Sequence, residues 1–152
     1  MDRLLARVGG LTDAEASRRA TADGWSVAQV MWHVAATNDG FAGIVDGSRP
    51  LAVPPADDFV ETPFADIQAQ VPDRLEAPEV FQPAADVTRA EALVRLQASR
   101  ERFVAAYRAL TPERGTWTIK SILGLLTVYQ VGDWAAAHVA RHNAQAKRAL
   151  GR

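Results

Sequence analysis

Residues 127–150, TVYQVGDWAAAHVARHNAQAKRAL, form one of three long helical patterns and carry two of the chain's three histidines. Positions spaced alternately by three and four residues define a single stripe along this helix. The stripe begins apolar and turns polar over its second half, and unpaired polar groups on an inward face would be costly. It therefore predicts an amphipathic helix with a binding site in its second half. The stripe consists of Val128, Val131, Ala135, His138, His142, Gln145 and Ala149.

Helix starts are marked by capping boxes, in which Ser or Thr is followed three residues later by Glu or Gln. The boxes are Thr12…Glu15, Ser26…Gln29, Thr88…Glu91 and Thr127…Gln130. The last three predict long helices at about 26–47, 88–110 and 127–150, and the first opens only a turn or two. A short first helix ends at Gly9–Gly10. No strand is predicted.

The segment 48–87 contains seven of the eight prolines, so no long helix can run through it. A short helix is predicted near 64–70. The segment is too apolar to lie in water and is interpreted as an ordered crossover that delivers the next helix parallel to the previous one. An all-α four-helix bundle of up-down-down-up connectivity follows. The apolar residues are Phe59, Val60, Phe64, Ile67, Val71, Leu75, Val80 and Phe81.

The length of 152 residues fits one domain, 1–152. With 17 basic and 18 acidic residues, the chain has neither a basic footprint for nucleic acid nor a polybasic patch for a membrane. The absence of cysteine excludes disulfides, thiolate zinc sites and a cysteine nucleophile. No secretory signal or spanning segment is evident, so a cytoplasmic location is expected.

The third histidine, His33, lies on a second inward stripe with Val30, Thr37, Phe41 and Ile44. It is about 10 Å from the start of its helix, and the midpoint of His138 and His142 is about 15 Å from the end of the last helix. In antiparallel helices the three imidazoles would therefore lie within about one helical turn of one level. The alternative is that each is a separate, satisfied core histidine.

Histidines four residues apart on a helix are close enough to bind one ion, and a third from a facing helix completes a set of three ligands. Three protein ligands leave positions for water or substrate, as in catalytic sites. Nitrogen ligands suit zinc, nickel, iron(II) or copper better than calcium or magnesium. The zincin motif needs Glu after its first histidine, and Val139 stands there. No nucleophile elbow is present.

The stretches GWSVAQVMWHVAATND (24–39) and TVYQVGDWAAAHVARHNAQ (127–145) resemble the two histidine motifs of the DinB-like (YfiT-type) metalloenzyme superfamily. The resemblance covers nearly the whole chain. It implies a four-helix bundle, often dimeric, in which His33, His138 and His142 hold a divalent metal. Zinc or nickel is expected, with iron or manganese as alternatives. Two departures are the short first helix, which would favour dimerisation, and HNAQ in place of the frequent HRGQ.

Relatives in this superfamily include transferases and isomerases that use low-molecular-weight thiols, which implies a metal-bound thiolate, a small thiol and an electrophile here. The leading hypothesis is a thiol S-transferase. The alternatives are a hydrolase with metal-bound hydroxide and a non-catalytic metal- or ligand-binding stress-response protein. Gln145 is a candidate to hydrogen-bond a ligand or a bound water. Trp25 and Phe81 are candidate pocket walls, at the bundle end that carries the 10–25 loop.

Overall fold

The computed structural model describes residues 1–70 and 76–152, which form a mostly helical protein with one small sheet. None of the helices in these two ranges is long and apolar enough to cross a membrane. The elements are α1 (Asp2–Val8), α2 (Asp13–Ala16), α3 (Val27–Asp46), α4 (Phe64–Gln70), a 3₁₀ turn (Glu79–Phe81), α5 (Arg89–Ala109), α6 (Pro112–Gly115), β1 (Thr118–Ser121), β2 (Gly124–Thr127) and α7 (Gln130–Ala149).

The three long helices confirm the prediction to within a few residues. Helix α3 begins after Ser26, whose Oγ accepts a hydrogen bond from Gln29 N at 3.2 Å, while Gln29 Oε1 accepts one from Ser26 N at 2.9 Å. It ends at Gly47, whose φ of +84° favours glycine. Helix α7 starts later than expected, at Gln130, although the predicted reciprocal bonds between Thr127 and Gln130 do form.

The two capping glutamines, Gln29 and Gln130, each donate a further hydrogen bond, which the capping glutamates cannot do. Gln29 Nε2 donates to Ala84 O at 3.0 Å, and Gln130 Nε2 donates to Thr62 O. Glutamine has a spare NH₂ donor after its oxygen has capped the helix, whereas an ionised glutamate has none. The caps of α3 and α7 therefore also fix two points of the crossover.

The prediction of no strands was wrong, because β1 and β2 form an antiparallel hairpin with Thr118 opposite Thr127. Its turn lies at Ile122 and Leu123 and is followed by Gly124 at φ +92°. Ser121 Oγ accepts from Leu123 N at 3.0 Å and donates to Gly124 O at 2.8 Å. The apolar run ILGLL at 122–126 therefore forms the turn of this hairpin and most of β2.

The described parts of the crossover are anchored to the rest of the protein at several points but are more exposed than expected. Val53 pairs with Thr118 through backbone hydrogen bonds of 2.9 and 2.7 Å, and Ile67 on α4 is fully buried. The expectation that all its apolar residues avoid water was wrong, since Val60 is 84% and Val80 is 70% exposed. A few anchors suffice to hold the segment. The predicted apolar positions Val71 and Leu75 lie outside the described residues.

Two apolar clusters make up the core. One joins α1, α2 and the first halves of α3 and α5 to the second half of α7, and the other joins the second halves of α3 and α5 to α4, the hairpin and the first half of α7. Buried polar side chains lie along the same helices between them. We call these the polar layer: His33, Thr37, Asn38, Ser99, His138 and His142.

Candidate metal centre

Helices α3 and α7 bring the three histidines of the chain together. His33 on α3 faces His138 and His142 on α7, and one ring nitrogen from each lies within 4.8 Å of the others. The ring centroids are 4.4–5.1 Å apart. His33 and His142 are buried and His138 is nearly so. The inference that all three lie at one level of the bundle therefore agrees with this geometry.

The spacing of the ring nitrogens fits a single ion. His33 Nε2 and His138 Nε2 are 3.1 Å apart, so both can reach one ion at the usual bond length of roughly 2.1 Å. The donor set is imidazole nitrogen only, which suits zinc, nickel, iron(II) or copper. The three-histidine group could therefore hold a transition-metal ion.

Two of the imidazoles are oriented by acceptors on their far side. His33 Nδ1 lies 2.8 Å from Phe81 O, and His142 Nδ1 lies 2.8 Å from Gln145 Oε1. Because both partners are acceptors, each Nδ1 carries the proton and donates. Each Nε2 is then unprotonated, which is the tautomer that a metal ligand requires.

His138 differs from the other two. Its Nε2 faces His33, and its buried Nδ1 has no hydrogen-bond partner among the described residues. Buried polar atoms in proteins are nearly always partnered, and the exceptions often mark functional sites. Protein hydrogen bonds among the described residues therefore do not satisfy every nitrogen of the cluster. This is expected of a site that binds a further group.

Burial keeps these imidazoles neutral. Desolvation lowers the pKa of His33, lowers that of His142 to about 3 and lowers that of His138 well below its usual value. The positive charge of Arg141 lowers all three further. Neutral imidazole is the metal-binding form, so the cluster is ready to bind an ion at pH 7.

Two cavities of different polarity meet at the histidines. The polar cavity, with a volume of about 550 Å³, is lined by Asp23, Trp25, Glu76, Gln82 and Gln145 together with His33 and His142. The apolar cavity, with a volume of about 270 Å³, is lined by Phe41, Ile44, Ile119 and Trp134 together with His33 and His138. Arg141 lines both.

The residues predicted to surround the site are found beside it. The Trp25 ring lies 4.7 Å from that of His33 and lines the polar cavity. Phe81 lines the apolar cavity and orients His33 through its carbonyl. Gln145 contacts His142 itself, rather than only a ligand or water.

Sequence reasoning missed Arg141, whose Nη1 is 3.5 Å from His142 Nε2. Its position three residues after His138 was the available signal, because residues at that spacing share a helix face. Asn143, which stands where the family often has a basic residue, instead accepts a hydrogen bond from Arg7 Nε at 2.8 Å and so faces α1. The cation at this site therefore precedes His142 rather than following it.

Comparison with known proteins gives one family match. A family model described as the DinB superfamily matches residues 1–146. No curated protein and no solved structure matches the chain. The match spans nearly the whole sequence, including both helices that carry the histidines. The chain therefore belongs to the DinB superfamily.

Proposed function

We propose that the protein is a metal-dependent enzyme that transfers a low-molecular-weight thiol onto an electrophile. One observation carries the proposal: three neutral, inward imidazoles lie where a polar and an apolar cavity meet. A site open on two sides of different polarity suits two different substrates. Family membership supports a metal centre and does not by itself specify the reaction.

His33, His138 and His142 would hold a divalent transition metal, zinc or nickel in the first instance, with iron or manganese as alternatives. Such an ion stabilises a thiolate and so supplies a nucleophile at neutral pH. Phe81 O and Gln145 Oε1 keep two of the rings in the ligating orientation. Changing either acceptor would weaken metal binding without removing a ligand.

The polar cavity suits the thiol. Low-molecular-weight thiols carry several hydrogen-bonding and charged groups, and this cavity offers the amides of Gln82 and Gln145 and the carboxylates of Asp23 and Glu76. Arg141 contributes positive charge beside the histidines and can attract the thiolate or a carboxylate of the thiol. It would take over the role of the basic residue that Asn143 replaces.

Hydrolysis is the second candidate, and the carboxylates of Asp23 and Glu76 favour it. Either carboxylate could serve as a general base in the cavity that His142 lines. A hydrolase would turn over its substrate without any thiol. A non-catalytic protein would bind the metal or a ligand and show neither activity.

Domain organisation, bundle topology, oligomeric state and cellular location are also proposals. We infer a single domain over 1–152 and an up-down-down-up bundle, supported by the contacts of α3 with α5 and α7 and of α1 with the same two helices. A homodimer is proposed because α1 has only seven residues, which leaves part of the bundle for a partner to cover. A cytoplasmic location is proposed from the lack of cysteine, which suits a reducing compartment.

Metal content is the first test of the proposed function. Protein purified without a histidine tag should contain about one ion per chain by elemental analysis, and His138→Ala should lose it. Asn143→Ala is the matched control, since this α7 residue faces α1, and it should retain the ion. Equal metal content in wild type and His138→Ala would overturn the site.

Thiol dependence is the second test. The metal-loaded protein should conjugate a chromogenic electrophile with at least one thiol from a panel of glutathione, mycothiol and bacillithiol, and His138→Ala should not. Turnover of ester substrates without thiol would support the hydrolase instead. Metal binding with neither activity would support the non-catalytic alternative.

A further inference from the structure

We propose that the apolar cavity binds an amphipathic organic anion, a carboxylate with an aliphatic or aromatic body, whose charge is recognised by Arg49. The assignment of this molecule as the electrophile rests on the proposed function, whereas its binding does not. The argument depends on the walls of the cavity, on the charges around it and on the position of the Arg49 side chain.

The walls of the cavity are apolar and well packed. Phe41, Ile44 and Ile119 are at most 6% exposed, and the Phe41 ring packs against Trp134 with centroids 4.8 Å apart. A volume of about 270 Å³ lies just below the usual range for small-molecule sites, which begins at roughly 300 Å³. The cavity therefore suits the apolar body of a small organic molecule.

The charged groups around this cavity are all positive. Arg49, Lys120 and Arg141 line it, and no carboxylate does so among the described residues. The polar cavity differs, because Asp23 and Glu76 line it together with Arg141. Positive charge next to low-dielectric walls attracts anions and repels cations. The two cavities therefore select for different ligands.

Arg49 is held against α3 by two glycines. A Cβ on Gly40 would lie 2.8 Å from Arg49 Nη1, and a Cβ on Gly43 would lie 2.8 Å from Arg49 Cγ. The side chain therefore lies along the surface of α3, with its guanidinium next to Gly40, which also lines the cavity. Within the described part of the chain, this guanidinium forms no ion pair and no hydrogen bond.

The position of the cavity relates this anion to the histidines. His33 and His138 line the same space as Arg49, and Phe81 contributes both to its wall and to the orientation of His33. A molecule anchored through its carboxylate at Arg49 would have its apolar body next to the cluster. Such anchoring at one end is how enzymes position a substrate for reaction at the other.

Binding of octanoate to metal-free protein tests the proposal. Isothermal titration calorimetry should show octanoate binding at least about tenfold more tightly than the neutral octanamide, because a charge-assisted pair contributes on the order of that factor. Arg49→Met keeps an unbranched stem over the two glycines and should remove this preference. It should leave octanamide binding unchanged within about twofold. Arg108→Gln removes a positive charge from a residue outside the cavity and should retain the preference.

Equal affinity for octanoate and octanamide in the wild type would overturn the proposal, as would a preference that survives Arg49→Met. The wild-type preference should also decrease between 50 and 500 mM salt, and this readout needs no variant. Neither measurement involves metal or thiol. An Arg49-dependent preference in a protein with no thiol transferase activity would therefore overturn only the proposed function.

Discussion

Helices α3 and α5 have nearly the same length and begin with the same capping motif, but they are buried to very different extents. Seventeen of the 20 residues of α3 are buried, against four of the 21 in α5. Helix α3 contacts α5, α7, α2 and the 3₁₀ turn, while α5 contacts α3 and the short α1. Local sequence signals determine where a helix starts. Tertiary contacts determine how much each of its residues contributes to the free energy of unfolding. Predictions for the two helices should differ accordingly.

The largest difference is expected for apolar truncations. Met31→Ala on α3 removes a fully buried side chain and should lower the free energy of unfolding by about 2–5 kcal/mol. Val94→Ala on α5 changes a side chain that is 66% exposed and should stay within about 0.5 kcal/mol. Urea unfolding measures both, and a similar loss in the two variants would contradict the contrast between the helices.

The second difference is in the response to pH. Folded-state pKa values below the usual 6.5 mean that the unfolded chain takes up protons first as pH falls, so stability is full above about 6.5 and is lost below it. Each strongly shifted histidine contributes about 2 kcal/mol between pH 7 and pH 5. Urea unfolding of metal-free protein should show this loss.

His142→Gln should reduce the pH response, because it removes one of the shifted groups. On α5, Glu91 has a lowered pKa through its bonds to Thr88, and Glu91→Gln should leave the response between pH 7 and pH 5 unchanged. A carboxylate titrates below this window. An unaltered pH dependence of stability in His142→Gln would show that His142 does not contribute to it.

The smallest expected difference is in the cost of changing the last residue of the capping box in α3 and in α5. Gln29→Glu keeps the cap of α3 but removes the donor to Ala84 O, leaving two acceptors face to face in a buried place. It should cost about 1–2 kcal/mol. Glu91→Gln in the exposed box of α5 should cost under about 0.5 kcal/mol. An equal loss of unfolding free energy in the two variants would mean that the hydrogen bond from Gln29 Nε2 to Ala84 O does not stabilise the protein.

The site was largely predictable because its signals are local. The stripe on α7 identified the face that carries His138 and His142, and the caps fixed where the helices begin. The regular rise per residue then placed both histidines at the level of His33. Helix α3 was predicted at about 26–47 and spans Val27–Asp46, so an error of one residue left His33 on the correct face. Gln145 was found for the same reason, since it continues the stripe.

The features that were missed depend on contacts that sequence spacing does not encode. The hairpin lacks the usual Asn-Gly or Asp-Gly turn, and Gly124 after an apolar pair gave little warning of it. Arg49 lies 6 and 9 positions beyond Gly43 and Gly40, in a loop whose path returns over α3. The exposed Val60 and Val80 show that apolar content alone overstates burial in an irregular segment.

The polar layer has a consequence for engineering this protein. Buried polar groups are often less stabilising than well-packed apolar residues of similar volume. Apolar substitutions in the polar layer should therefore raise the thermostability of the metal-free chain. Replacing its histidines with aliphatic side chains would join the two apolar clusters into one and yield a sturdier scaffold without a binding site. The histidines therefore supply a group that could hold a metal ion rather than additional stability.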